Sequence, residues 1–293
     1  MNEPFRLYVT NERMIGAADS VYPSADVYDF DFLELTALDG LMVQYTGLSH
    51  PAAVLYTAQI ANMNGAMFQS SRLNTRNIVL TFTLLSNIEQ NRRIIYRYFR
   101  TGGKVTLIYR GTRNAWIDGY VETMSLDQFK ATPHKQVVQV SIVCPDPLLK
   151  CEESHNVHFD LPNDNDHFFN MNYGGDYAYG VKIKVNFRLN ASVVNPYFYN
   201  EYDDPQTNGT LTINETFDSK DVLEICTIKG QKSVKKTRTD NGTTTVTDLM
   251  GKIDYPAKWL QLVPSFNKVH IGASADGYGI YGDITMTEVY GGI

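Results

Sequence analysis

The stretch Ile78-Val-Leu-Thr-Phe-Thr-Leu-Leu85 alternates apolar and polar residues, and it opens the part of the chain that decides the fold. Its even-numbered positions from Ile78 to Leu84 are apolar, and its two threonines fall on the opposite face. Side chains alternate across a strand, so this pattern predicts a half-buried β-strand.

A helix is predicted directly after this strand. Asn87 belongs to the residue types that cap helices, and Gln90 occupies the position of the return partner in a capping box. Gly102-Gly103 is a typical helix end. Three more strands follow, Lys104 to Arg110, Trp116 to Met124 and Gln136 to Val143. Proline cannot donate to a strand ladder, so Pro145 and Pro147 end the last of them.

A second β pattern occupies the rest of the chain. The residues from Val181 to Phe187 alternate between apolar and polar, and Asp240-Asn-Gly242 is typical of a two-residue hairpin turn. Many short strands without a convincing helix favour a β-sandwich. Between the two patterns, residues 146–180 are polar and aperiodic, so we expect one domain over 1–150 and another over 151–293.

Composition excludes several classes of protein. The chain has 293 residues, 43% of them hydrophobic, and it has no run of 18 apolar residues and no signal sequence, so we expect no membrane span. Three cysteines are too few for a disulfide framework. Residues 1–150 carry 14 basic and 13 acidic residues, against 12 and 19 in residues 151–293. Neither half is basic enough for a nucleic-acid reader.

The order of these segments resembles the siphophage distal tail proteins, the rings at the tip of a long non-contractile phage tail. In the first half the resemblance lies in Arg76-Asn-Ile-Val-Leu-Thr-Phe82, the helix to Arg100, Trp116-Ile-Asp-Gly-Tyr-Val121 and Gln139-Val-Ser-Ile-Val-Cys-Pro-Asp-Pro-Leu148. In the second half it lies in Asn195-Pro196, Leu211 to Asn214, Lys258 to Pro264, Asn267 and Val289 to Ile293. One departure is Ser265, where the resemblance leads us to expect glycine after Pro264.

The resemblance implies a mainly β fold with two parts. The first is a tail-tube-like β-sandwich or barrel with one α-helix, and the second is a galectin-like or carbohydrate-module-like β-sandwich. It also implies a structural virion protein that forms a homohexameric ring at the distal end of the tail and is assembled in the host bacterial cytoplasm. Expected partners are further copies of the chain, the tail tube protein, the tail-associated hub protein and receptor-binding or accessory tail-tip proteins. DNA would pass through without specific binding.

An acidic segment precedes the first strand pattern. Residues 19–39 hold six carboxylates and no basic residue. One interpretation is an ordinary solvated face. The other is a strand that faces the lumen of a tube through which DNA passes, since negative charge would prevent the DNA from sticking. The candidate lumen-facing residues are Asp26, Asp29, Asp31 and Glu34.

Residues 40–71 contain no Lys, Arg, Asp or Glu. Interface cores are depleted in charge and enriched in Met and aromatic residues, so the segment is a candidate belt between subunits. The alternative is packing within its own domain. The candidate belt residues are Val43, Tyr45, Val54, Leu55, Tyr56, Ile60, Met63, Met67 and Phe68.

No motif for catalysis is present, and we predict neither an enzyme nor a cofactor. His155-x-x-His158, with His167 nearby, fits no zinc spacing, so we predict no metal site. Aromatic residues crowd the start of the second domain, among them Tyr173, Tyr197, Phe198, Tyr199 and Tyr202. They can fill the sandwich core, or they can stack on sugars. The second choice gives an alternative function, a carbohydrate-binding adhesin module of a tail or surface structure.

Overall fold

The computed structural model describes residues 6–11, 33–59, 61, 64–126, 135–161, 165–202, 210–240 and 242–293. It divides into two compact units, one formed by Met1–Glu152 with Tyr290–Ile293 and the other by Glu153–Val289. The last four residues therefore group with the first unit, which the division expected from sequence did not anticipate. Separate folding of the two units stays a prediction.

The first unit contains the only α-helix in the described part of the chain. Its elements are β1 (Arg6–Asn11), β2 (Leu33–Glu34), β3 (Leu41–Thr46), β4 (Ala53–Ala58), β5 (Met67–Leu73), β6 (Arg76–Leu84), α1 (Ile88–Tyr98), β7 (Lys104–Arg110), β8 (Ala115–Leu126), β9 (Gln136–Cys144) and the start of β10 (Leu149–Asp160), with a short 3-10 helix at Leu35–Ala37. One antiparallel sheet has the strand order β3-β6-β9-β8-β7-β1-β2, and β10 also pairs with β8. Strands β4 and β5 form a separate antiparallel pair.

The decisive strand β6 lies between β3 and β9, with Leu80 opposite Tyr45 on one side and opposite Val140 on the other. Its alternate side chains are buried as predicted, and the Phe82 ring lies 5.5 Å from that of Phe99 at the end of α1. Burial of each such side chain contributes roughly 1.5–3 kcal/mol.

The predicted capping of α1 is wrong in its detail. Asn87 holds the N-cap position, but its backbone is left-handed at φ 47° and its side chain makes no capping hydrogen bond. The side chain of Asn91 is buried there instead, and its amide donates to the carbonyls of Asp39 at 2.9 Å and Ser86 at 3.1 Å. The local sequence could not reveal this, because Asp39 lies 52 positions earlier.

The expectation of an aperiodic segment over residues 146–180 is also wrong. Strand β10 runs through most of its first half, and Asp166–Tyr173 forms another strand, β11. Polar residues on both faces of β10 hid its periodicity, because its side chains from Glu153 to Asn156 are all exposed.

The second unit continues with β strands. They are β11 (Asp166–Tyr173), β12 (Tyr179–Gly180), β13 (Lys182–Phe187), β14 (Val193–Asn200), β15 (Leu211–Thr212), β16 (Thr216–Phe217), β17 (Asp221–Cys226), β18 (Ser233–Asp240), β19 (Thr243–Asp248), β20 (Gln261–Leu262), β21 (Ser265–Ala275) and β22 (Ile280–Tyr290), with 3-10 helices at Met250–Lys252 and Gly277–Gly279. One sheet has the order β19-β18-β17-β13-β22-β10, and the other has the order β11-β21-β14-β15 with β16 also on β14.

One hydrophobic core takes side chains from both of these sheets, for example Val185 and Ile225 from the first and Phe198 and Val269 from the second. The predicted mainly β fold is confirmed. That the second unit is galectin-like stays a prediction. In the described residues, no helix is long and apolar enough to cross a membrane.

Candidate assembly surfaces

Strands β4 and β5 form a two-stranded sheet of their own. Within the described residues they pair only with each other, from Ala53 opposite Leu73 to Ala58 opposite Met67. The amide of Asn74 donates to the carbonyl of Ala52 at 2.8 Å and closes the base of this hairpin. An isolated two-stranded hairpin is marginally stable in water, so this element needs a partner surface.

The hairpin exposes large apolar side chains, and its one charged residue, Arg72 near the end of β5, lies with its guanidinium 5.7 Å over the Tyr56 ring. Leu55 is 62% exposed and Phe68 is 60% exposed, and Tyr56 and Met67 are also exposed. Every residue from Met67 to Arg72 in β5 is exposed. Contiguous exposed apolar surface of this kind marks interaction sites.

The structure separates the predicted belt residues into two groups. Val43 and Tyr45 lie on β3 and pair with β6, so they are part of the main sheet of the first unit. Partial burial, and then the neighbouring Tyr109, raise the pKa of the Tyr45 hydroxyl. The hairpin carries the second group, which consists of Val54, Leu55, Tyr56, Met67 and Phe68. Ile60 and Met63 lie outside the described residues.

A glycine sets where the hairpin leaves the main sheet. Gly47 has φ 89°, and a Cβ placed on it would lie 2.1 Å from the carbonyl oxygen of Asn77 in β6. Only glycine allows both the positive φ and this close approach. The hairpin therefore starts from a fixed point beside β6.

A buried arginine reinforces the same point. Arg76 is 3% exposed, and its guanidinium donates to three backbone carbonyls, those of Pro147 at 2.7 Å, Gly47 at 3.1 Å and Gly291 at 2.6 Å. The amide of Ile293 also donates to the carbonyl of Leu48 at 3.3 Å. Sequence reasoning missed this role of Arg76, for which the one signal was a lone arginine at the start of an apolar strand.

Of the four candidate lumen-facing carboxylates, Asp26, Asp29 and Asp31 lie outside the described residues. Glu34 is half-buried in β2, where the Thr36 hydroxyl donates to it at 3.2 Å and Arg6 lies at 4.0 Å. These contacts fix the position of the Glu34 carboxylate, and its place in a lumen stays a prediction.

The three histidines considered as a metal cluster each contact a different residue. His158 contacts Asp283 at 3.0 Å, His155 lies 4.0 Å from Glu288, and the His167 ring packs on Phe169. Among the described residues, no group of His, Cys, Asp or Glu is arranged to hold a metal ion.

Comparison with known proteins agrees with this architecture. Residues 36–144 match the family model of the phage tail protein RIFT-related domain. A comparison with curated protein sequences finds no match. Among solved structures, the chain is similar to SPP1 Dit (gp 19.1), described as a paradigm of the hub adsorption apparatus in Gram-positive infecting phages, with a TM-score of 0.64 and 15% identity over 88% of this chain and 96% of that chain.

A chain of the phage P2 baseplate in its activated conformation aligns with a TM-score of 0.46 and 8% identity, over 93% of this chain and 99% of that chain.

Residues 36–144 are therefore similar to the phage tail protein RIFT-related domain. Over most of its length it has the fold of a siphophage distal tail protein, as SPP1 Dit has. The resemblance predicted from the sequence is confirmed.

Proposed function

We propose that the chain is a structural virion protein that forms a homohexameric ring at the distal end of a long non-contractile phage tail. The observation that carries the proposal is the β4–β5 hairpin, which exposes Leu55, Met67 and Phe68 and has no charged residue between Gly40 and Ser71. In a ring, each hairpin lies on the next subunit as a belt.

The geometry of such a ring follows from the asymmetry of the contact. The hairpin of one copy meets a different patch on its neighbour, and repeated head-to-tail contacts of this kind close into a ring when the rotation allows. The fixed departure of the hairpin at Gly47 and Arg76 gives every copy the same angle, which ring closure requires. No covalent chemistry enters this function.

The remaining assignments extend the proposal. The ring joins the tail tube protein to the tail-associated hub protein and to receptor-binding or accessory proteins of the tail tip, after assembly in the host cytoplasm. The acidic segment that includes Asp26, Asp29, Asp31 and Glu34 faces the lumen, where it keeps passing DNA from sticking.

Two matched substitutions test the belt. Leu55→Asp places a carboxylate in the belt contact, where burial without a partner costs several kcal/mol. Leu189→Asp is the control, because Leu189 is 81% exposed and lies in the second unit. Light scattering after size exclusion, with negative-stain images, should show rings for the wild type and for Leu189→Asp. Leu55→Asp should give monomers that keep a β-rich circular dichroism spectrum and a cooperative melt, at a temperature lowered by the loss of the ring contacts. Rings formed by Leu55→Asp would contradict the belt.

A further inference from the structure

The connection between β4 and β5 carries the dipeptide Asn64-Gly65. The last paired residues of the hairpin are Ala58 and Met67, so residues 59–66 form the connection. Asn-Gly is typical of a two-residue turn between strands, but this connection is longer than such a turn. The dipeptide therefore lies in a loop at the tip of the hairpin rather than between directly paired residues.

Both residues of the dipeptide are open to solvent. Asn64 and Gly65 are exposed, and within the described part of the chain neither of them makes a hydrogen bond. Gly65 has φ 92°, and a Cβ placed on it would meet no atom within 4 Å beyond its chain neighbours. Glycine also has no side chain to shield its own backbone nitrogen. The Gly65 nitrogen is therefore free to approach the side chain of Asn64.

An asparagine that precedes a glycine can lose its amide without a catalyst. The backbone nitrogen of Gly65, after losing its proton to hydroxide, attacks Cγ of Asn64 and closes a succinimide ring. The bond from Cγ to the side-chain nitrogen breaks, and ammonia leaves after taking a proton from water. A second water then opens the ring at either carbonyl and gives aspartate or isoaspartate. Over both steps one water is consumed, one ammonia is released, and a neutral amide becomes a carboxylate, which is one reason why asparagine is thermolabile.

A carboxylate at the hairpin tip would have no opposite charge on its own hairpin nearby. Residues 40–71 contain no Lys, Arg, Asp or Glu. Arg72 is the one cation of the hairpin, and it lies opposite Val54 near the base. It is five positions after Met67, or about 16 Å along the strand. Deamidation of Asn64 would therefore add an unpaired charge to a segment distinguished by having none.

We propose that Asn64 is a site of spontaneous deamidation, and that the resulting carboxylate prevents the subunit from entering the ring. The inference rests on the proposed function, because the carboxylate is harmful only where a second copy covers the hairpin tip. Burial of a carboxylate without a partner is far more costly than burial of a neutral amide. A subunit that stays unassembled therefore loses its ability to assemble with age, whereas coverage by the neighbour protects a subunit that is already in a ring.

The chain contains a matched asparagine for comparison. Asn190 is also exposed and also has a positive φ, of 65°, but it precedes Ala191. The Ala191 side chain is buried, and its amide donates to the carbonyl of Arg188 at 3.3 Å. The backbone nitrogen after Asn190 is therefore both shielded and held, and Asn190 should keep its amide.

The first test follows the chemistry in the free subunit. The full-length Leu55→Asp chain, which stays monomeric, is aged at pH 6 and at pH 8, and its peptides are mapped by mass spectrometry. The Asn64 amide should be lost, and lost faster at pH 8, because the attacking nitrogen must first give up its proton. Asn190 should stay intact in the same samples, and the ring-forming wild type should lose the Asn64 amide more slowly.

The second test measures assembly of fresh full-length variants by light scattering. Asn64→Asp reproduces the product, and it should need at least about ten-fold more protein than the wild type to form rings, because burial of an unpaired carboxylate costs more than the free energy of a ten-fold change. Asn64→Gln keeps a neutral amide, and Asn190→Asp adds a carboxylate outside the hairpin, so both should assemble as the wild type does. A β-rich circular dichroism spectrum of Asn64→Asp shows that its fold is intact.

The outcomes separate this proposal from the ring itself. The proposal is overturned, and the ring stands, if Asn64 keeps its amide at pH 8 as long as Asn190 does, or if Asn64→Asp forms rings at the wild-type concentration. Failure of Asn64→Gln to assemble would overturn the reasoning from charge, because a neutral side chain would then not be enough. If the fresh wild type forms no rings either, the proposed function fails and the effect on assembly falls with it.

Discussion

Replacing Arg76 by alanine should destabilise the first unit strongly. The guanidinium holds three carbonyls that belong to the segment before the hairpin, the segment after β9 and the last residues of the chain. A hydrogen bond to a charged group contributes about 1.5–3 kcal/mol. Three such bonds are not additive, and water can enter the space left by the truncation, so we expect a loss of about 3–5 kcal/mol. A domain has only about 5–15 kcal/mol of stability, so this loss is large.

The assay is urea unfolding of the full chain, followed by tryptophan fluorescence. The two tryptophans lie in different units, Trp116 in the first and Trp259 in the second, so a Trp259→Phe background reports the first unit alone. Arg76→Lys keeps the charge, but one ammonium cannot match the geometry of three carbonyls, and it should lose about half as much stability.

Arg93→Ala is the matched control. The Arg93 side chain is 79% exposed on α1 and pairs only at the surface with Glu89, at 3.4 Å. Removing an exposed pair of this kind changes stability by about 0.5 kcal/mol or less. If Arg76→Ala unfolds at the same urea concentration as Arg93→Ala, the three hydrogen bonds do not hold the unit together and the reasoning is wrong.

Two further predictions concern single residues. Ser265 has φ 78°, a region that favours glycine, so Ser265→Gly should raise the stability of the second unit by roughly 0.5–1 kcal/mol in urea unfolding followed by Trp259. Ser274→Gly, in the same strand but outside the positive-φ residues, should lower it by a similar amount. Burial raises the pKa of the Cys144 thiol to about 12, so iodoacetamide at pH 8 should leave Cys144 unmodified in the native protein and modify it in guanidinium, as read by mass spectrometry.

The predictions for the serine variants and for Cys144 can each be contradicted by a specific result. Equal losses for both serine variants would mean that the backbone at Ser265 is not strained. Rapid native alkylation of Cys144 would mean that its environment is open. The raised pKa of Cys144 also makes stability depend on pH, because the folded state holds this proton more tightly than the unfolded state does. Its contribution to stability is complete below the ordinary pKa of 9 and is lost as the pH rises towards 12.

The strands of the first unit could be read from the sequence because their burial is one-sided. In β6 and β9 alternate residues are buried, and the predicted bounds differ from the observed ones by only one or two residues. The hairpin signal in the sequence Asp240-Asn-Gly242 is equally local, and β18 and β19 lie on either side of it as predicted. Strand β10 was not predicted, because its middle residues are exposed on both faces. This exposure removes the alternation of apolar and polar residues on which such predictions depend.

The mainly β fold, the helix after β6 and the uncharged segment could be predicted from residue types alone, since each depends on a short window of sequence. Which of those residues share a surface depends on how the strands pack in three dimensions. In the structure, Val43 and Tyr45 belong to the main sheet of the first unit, whereas Leu55 and Phe68 are exposed on the β4–β5 hairpin. The tertiary structure also brought Arg76 to Gly291, 215 positions away, and laid Tyr197 on Gly272. Contacts of this kind depend on strand order and register, which long-range packing fixes and local patterns do not encode.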